Sequence, residues 1–131
     1  MTVVEICVED ALGVRRARDG GADRVEVCRD LSCGGLTPAF DEVAAALEVA
    51  PAGGVQVLVR PRPGDFVHSR EEVDRIASDI AQLASVGRGA TVPLGFVVGV
   101  LEPGGRINVD ASARLRDEAG EAPLTFHRAF D

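Results

Sequence analysis

Short apolar runs of strand length alternate with helix-patterned stretches along the whole chain, and this alternation limits the possible folds more than any other feature. Val3–Val8 reads as a strand, and Asp10–Asp19 as a short helix closed by Gly20-Gly21. Asp23–Cys28 reads as the second strand. Thr37 then offers an N-cap, with Pro38 at the first helical position and apolar residues at Phe40, Val43, Ala44 and Leu47. Val55–Arg60 is the third strand. Ser69 and Glu72 carry the spacing of a capping box, ahead of one apolar stripe made by Val73, Ile76, Ala77, Ile80, Leu83 and Ala84. Phe96–Leu101 is the fourth strand, Asp110 caps a helix that ends at Gly120, and Leu124–Ala129 is the fifth strand. Strands and helices in strict alternation predict an α/β fold with a parallel sheet and helices packed outside it.

An open doubly wound sheet and part of a (β/α) barrel both satisfy that order. The polar residues on the strands separate them. Side chains alternate faces along a strand. Val4, Ile6 and Val8 share one face of the first strand, and Glu5 and Cys7 the other. Val25 and Val27 oppose Arg24, Glu26 and Cys28; Val55, Val57 and Val59 oppose Gln56, Leu58 and Arg60; Leu124 and Phe126 oppose Thr125 and His127. A parallel sheet covered on both faces would be nearly continuously apolar. Every second position here is polar instead, which predicts a barrel whose lumen holds a polar site. Glu5 and Glu26 are then buried carboxylates, with Arg24 and Arg60 as counter-charges. Val4-Glu5-Ile6-Cys7 recurs as Val25-Glu26-Val27-Cys28. The repeat sets two thiols on one face of neighbouring strands, about 4.8 Å apart, within reach of a shared metal ion.

Composition removes several classes of function. The net charge of −7 argues against nucleic acid and anionic membranes as partners. All 14 basic residues are arginine, so no Schiff-base lysine is available. The N-terminus lacks a secretory pattern, and the longest apolar run, Val92 to Leu101, is broken by Pro93, Gly95 and Gly99. The expected location is the cytoplasm, where Cys7, Cys28 and Cys33 stay reduced.

Arg60-Pro61-Arg62-Pro63-Gly64-Asp65 follows a strand and precedes a helix, on the face where barrel sites form. Arg60 and Arg62, with Asp65 beside them and Arg128 after the fifth strand, are candidates to hold a small anionic ligand. The arginines could equally neutralise Glu5, Glu26 and Asp65. His127 is a candidate acid or base together with Glu5 and Glu26, against the plainer role of a hydrogen-bonded lumen histidine. Cys7 and Cys28 are candidate soft-metal ligands, against the alternative of two small buried apolar residues. Cys33, in a glycine-rich loop, is incidental.

Six blocks, in order, carry a family resemblance: Glu5-Ile6-Cys7; Gly21 through Cys28; Gly34-Gly35-Leu36-Thr37-Pro38; Arg60-Pro61-Arg62 with Gly64-Asp65-Phe66; Gly99-Val100-Leu101; and Thr125 through Asp131. Together they resemble the copper homeostasis family CutC. The resemblance implies a TIM-like (β/α) barrel, of which this chain supplies only about the first five strands and four helices. It also implies copper, as Cu(I), as the cofactor or cargo, with Cys7 and Cys28 matching the family cysteines. An enzyme acting on a small anionic substrate, and a truncated product without a function of its own, are the competing readings. Two open sheet edges add the expectation of a homo-oligomer.

Overall fold

Local signals in the chain place most of the elements. The computed structural model describes residues 1–131. Its elements are β1 (Glu5–Val8), α1 (Ala11–Asp19), β2 (Arg24–Val27), α2 (Phe40–Val49), β3 (Val55–Leu58), α3 (Arg70–Val86), β4 (Leu94–Val98), α4 (Val109–Ala119) and β5 (Leu124–Phe126). Single 3-10 turns lie at Leu31–Cys33 and Arg128–Phe130. Asp10 caps α1 by accepting from the Gly13 N–H. The capping box at α3 is complete: the Ser69 hydroxyl accepts from the Glu72 N–H, and the Glu72 carboxylate accepts from the Ser69 N–H.

Most strands are a residue or more shorter than or offset from the sequence expectation, and four boundaries differ for a clear local reason. Thr37 does not cap α2. Its Oγ1 accepts from the Arg60 N–H at 2.8 Å and donates to the Arg60 carbonyl at 3.1 Å, so the cap falls to Ala39, which has no side-chain bond to give. The buried residues of α2 are Val43, Ala46 and Leu47 rather than Ala44. Asn108, not Asp110, caps α4, accepting from the Ala111 N–H; Asp110 sits in the first turn, where its charge still favours the helix dipole. β4 begins at Leu94, directly after Pro93, whose missing N–H confines it to the strand's start. β5 ends at Phe126 because His127 Nδ1 accepts from the Ala129 N–H and opens a 3-10 turn.

All four strand pairs are parallel, in the order β1-β2-β3-β4-β5. A doubly wound sheet would reverse direction at a switch point; this one never does. The four helices lie on one face. Val25, Val27, Val55, Val57, Phe96 and Val98 form a single core with Val14 of α1, Val43 of α2, Ile76 and Ile80 of α3, and Leu115 of α4. The opposite face has only a small apolar cluster, Cys28, Leu58 and Val97, with no helical residue in it. Sequential parallel order with one-sided helices is the wall of a (β/α) barrel.

The capping box makes one prediction. Ser69→Ala should cost about 1 kcal/mol in thermal unfolding, because it leaves an N–H at the start of α3 unpaired. The backbone N–H of Ser69, and then Arg62, hold the Glu72 carboxyl down to about 2 from 4.5. Its folded value therefore lies below its unfolded one. Glu72 stabilises fully above about pH 4.5, and that stabilisation is lost as pH falls through about 2. Melting curves of wild type and Glu72→Gln should converge over that window.

Candidate functional site

The inner face of the sheet gives the site its shape. Glycines on β4 and just beyond it let large neighbours lie across the strand. A Cβ on Gly95 would strike the Gln56 amide, and one on Gly99 would overlap the His127 ring. Above these layers, at the C-terminal ends of the strands, opens a cavity of about 210 Å³. Cys7, Glu26 and Cys28 line it on one side; Arg60, His127 and Arg128 line it on the other. Leu31, Gly34, Leu58 and Phe66 complete the walls.

The first side comes from β1 and β2. Their register sets Cys7 level with Glu26, and Cys28 follows two residues later, with its N–H bonded to the Val8 carbonyl at 3.1 Å. The two Sγ atoms come within 3.7 Å. All three cysteines are free. Burial raises the Cys7 thiol, and the Glu26, Glu5 and Glu9 charges add to the rise. Burial, then the neighbouring Cys7, then Glu26 and Glu9 push Cys28 up to about 12. Glu26 is itself raised by burial and by the Glu5 charge. Nearby arginines do not offset these effects. Arg24 is engaged with Glu5, and Arg60 lies at the opposite end of the cavity on backbone carbonyls. Glu5 is not the buried carboxylate expected from sequence: at the edge of the sheet it is exposed, it does not line the cavity, and it acts there only through its charge.

The second side comes from β3 and the turn after β5. Arg60 is 3% exposed, with its guanidinium on the carbonyls of Cys33, Gly35 and Gly64. Arg128 approaches from the 3-10 turn. The Phe66 ring lies 5.0 Å from the Arg60 guanidinium carbon and 5.5 Å from that of Arg128. Phe66 also packs against His127, with centroids 4.7 Å apart and the rings inclined by 50°. Burial, Arg60 and Arg128 lower His127 to about 4, so its imidazole is neutral at physiological pH. Nδ1 accepts from the Ala129 N–H, which leaves the proton on Nε2.

Comparison with known proteins fits this geometry. The sequence profile of the CutC family matches residues 2–131. The chain belongs to the CutC family. Among curated relatives, a CutC family protein of Porphyromonas gingivalis is 43% identical over 128 residues, covering 98% of this chain and 49% of its own. One from Mesorhizobium japonicum is 42% identical over 131 residues, covering 100% of this chain and 48% of its own. The chain thus spans about half the length of these relatives. A crystal structure bearing the name copper homeostasis protein CutC, from Streptococcus agalactiae, superposes with a TM-score of 0.85 at 30% identity. It covers 100% of this chain and 61% of that one, so the five-stranded wall described above is part of a CutC barrel.

Within this CutC segment, the residues expected at the site divide into two groups. Cys7, Glu26, Cys28, Arg60, His127 and Arg128 meet in one cavity. Glu5, Arg62 and Asp65 stay outside it. Arg62 pairs with Asp65 at 3.1 Å and with Glu72, and also donates to the Pro63, Asp65 and Val67 carbonyls. Arg62 therefore neutralises Asp65 and Glu72, and neither arginine of the loop meets Glu5 or Glu26. Sequence reading gave no site role to Phe66, although it stands in one of the family blocks, and saw Gly34 only as half of a Gly-Gly pair. Phe66 lies on a loop, where no periodicity marks the direction of a side chain. No helix of the chain is long and apolar enough to cross a membrane.

Proposed function

We propose that this CutC segment takes part in cytoplasmic copper handling by binding Cu(I) between Cys7 and Cys28. The observation that carries the reading is the 3.7 Å separation of the two sulfurs on neighbouring strands. With metal–sulfur bonds of about 2.3 Å, as for Zn–S, that separation gives a roughly tetrahedral S–metal–S angle. A linear two-sulfur ion would need about 4.6 Å on the same bond length. The pair is thus a bent seat. No group of three or more His, Cys, Asp or Glu side chains completes a ligand set around it. Two soft donors alone favour Cu(I), which accepts low coordination, over Zn2+, which takes four ligands in structural sites. An incompletely ligated ion remains open to a further ligand, as cargo requires. The names of the CutC relatives add support for a role in copper homeostasis.

The test is a competition titration of the reduced chain against a Cu(I) chelator without oxygen. Wild type should bind one Cu(I). Affinity should fall at least about 100-fold in Cys7→Ser/Cys28→Ser and be unchanged in Cys33→Ser, whose thiol is bonded to the Asp30 carbonyl. Equal affinity in wild type and the double variant would end the copper reading.

A second reading has its own observation. Glu26 is pushed up and His127 down within one cavity, so both depart from their ordinary values, as groups tuned for proton transfer do. An enzyme acting on a small anionic substrate would use those two groups for proton transfer, with Arg60 and Arg128 at the anion.

A further inference from the structure

Six of the 14 arginines, Arg18, Arg24, Arg29, Arg62, Arg75 and Arg114, meet a carboxylate. Arg60 and Arg128 are among those that do not, and these two converge on one cavity. A Cβ added to Gly34 would lie 2.5 Å from Nη2 of Arg128 and 3.3 Å from Nη1 of Arg60. Gly34 has φ of 92°, a backbone conformation that already favours glycine. The missing side chain there lets both cations face the same space.

Arg60 also has capacity to spare. Three backbone carbonyls accept from its Nη atoms, but its buried Nε has no partner. A guanidinium offers five N–H donors, and a buried donor left unpaired is costly. Two like charges facing one cavity, one of them almost fully buried, repel each other unless an anion lies between them. His127 adds a neutral donor, its Nε2–H. The remaining walls near these groups are apolar: Leu31, Leu58 and Phe66. A space of about 210 Å³ holds a small molecule and no nucleotide.

We propose that Arg60, Arg128 and His127 form a binding site for a small organic carboxylate whose short apolar body lies against Phe66 and Leu58. The carboxylate bridges the two guanidiniums, and planar fork-to-carboxylate pairing is what arginine does best. This site rests on the second reading above, shares its cavity with the thiol pair and does not depend on copper.

The test uses the full chain, reduced and metal-free, at neutral pH. Butyrate and inorganic phosphate are titrated separately at matched ionic strength, by calorimetry and by following the ring resonances of the two histidines. Butyrate should bind saturably at one site and move the His127 resonances while leaving those of His68 in place. Arg128→Gln should weaken binding at least about tenfold, as expected on losing a charge-assisted bond. Arg128 is exposed and bonds no backbone carbonyl, so this variant keeps the fold; Arg60→Gln would also remove the supports of two loops. Butyrate should bind with no metal present, whatever the copper titration shows. No saturable binding, or binding that Arg128→Gln leaves unchanged, would overturn the proposal. Phosphate binding tighter than butyrate, with the same loss in Arg128→Gln, would overturn the carboxylate assignment in favour of a phosphate site.

Discussion

Between pH 6 and pH 8 the apparent Cu(I) affinity of the chain should rise about ten-thousandfold, which is about a hundredfold per pH unit. The slope follows from proton release. Only thiolates ligate, and both thiols are raised, Cys7 above 9.0 and Cys28 to about 12. Both are therefore protonated over this range, and metal must displace two protons. Affinity increases with pH because each step away from acid makes that displacement easier. The rise should flatten only above the ordinary thiol value of 9.0. The measurement is the same chelator competition repeated at several pH values and corrected for the chelator's own protonation. A logarithmic slope near two is expected for wild type and near zero for Cys7→Ser/Cys28→Ser. A wild-type slope below one would mean that the two sulfurs do not ligate together. The carboxylates matter here: Glu26→Gln should lower both thiols and raise affinity at neutral pH, since Glu26 contributes to both shifts.

The 131-residue chain should also self-associate. β1 and β5 are the edges of the sheet, and nothing pairs with their outer sides. Val3, Val4 and Ile6 are 57%, 45% and 41% exposed, on and beside an edge strand, where Val4 and Ile6 form a shallow trough with Arg16 and Ala17 of α1 and with Ala22 beyond it. At the opposite margin, Val109 and Phe130 are 69% and 72% exposed. Natural sheets protect such edges with inward charge, bulges or lysine, and this chain has no lysine. Sedimentation velocity at micromolar concentration should show species heavier than the 13.7 kDa monomer. Val4→Lys with Ile6→Lys should shift the distribution towards monomer about tenfold, by placing charge on the open edge. A sharply monomeric wild type with a single cooperative melt would refute this expectation.

How much of the site the sequence disclosed depends on the kind of signal. Strand parity was legible on the central strands and less so on the edge strand β1, where Val4, Glu5 and Ile6 are all exposed. Val25 and Val27 are 0% exposed in the helix-facing core, while Glu26 and Cys28 face the cavity. The Cys7–Cys28 approach followed from parity plus adjacency, because consecutive parallel strands lie side by side. Strand register was not legible, since no local residue announces that Cys7 stands opposite Glu26. Caps were misread wherever two polar residues competed. Thr37 and Asp110 have suitable side chains, but the end of β3 claims the first and Asn108 displaces the second. Loop side chains were hardest. Arg60 and Arg62 look alike in Arg-Pro-Arg, yet one is on the strand's inward parity and the other closes an internal ion-pair network. The sign of the thiol shifts was likewise out of reach from sequence, because it depends on which carboxylates and arginines lie within range.

That internal network has a consequence for binding rates. The segment from Pro61 to His68 carries Phe66, the shared wall of the cavity, and it is moored from within: Arg62 reaches the Pro63, Asp65 and Val67 carbonyls, the Asp65 carboxylate and the first turn of α3, while Arg60 holds Gly64. Ordering a loop of this length upon encounter would cost about 1 kcal/mol or more per residue in backbone entropy. Here that cost has been met during folding. A ligand arrives at an assembled wall and waits for no closure, so its capture is governed by diffusion and electrostatic attraction, and its residence time by how well it fits the two guanidiniums.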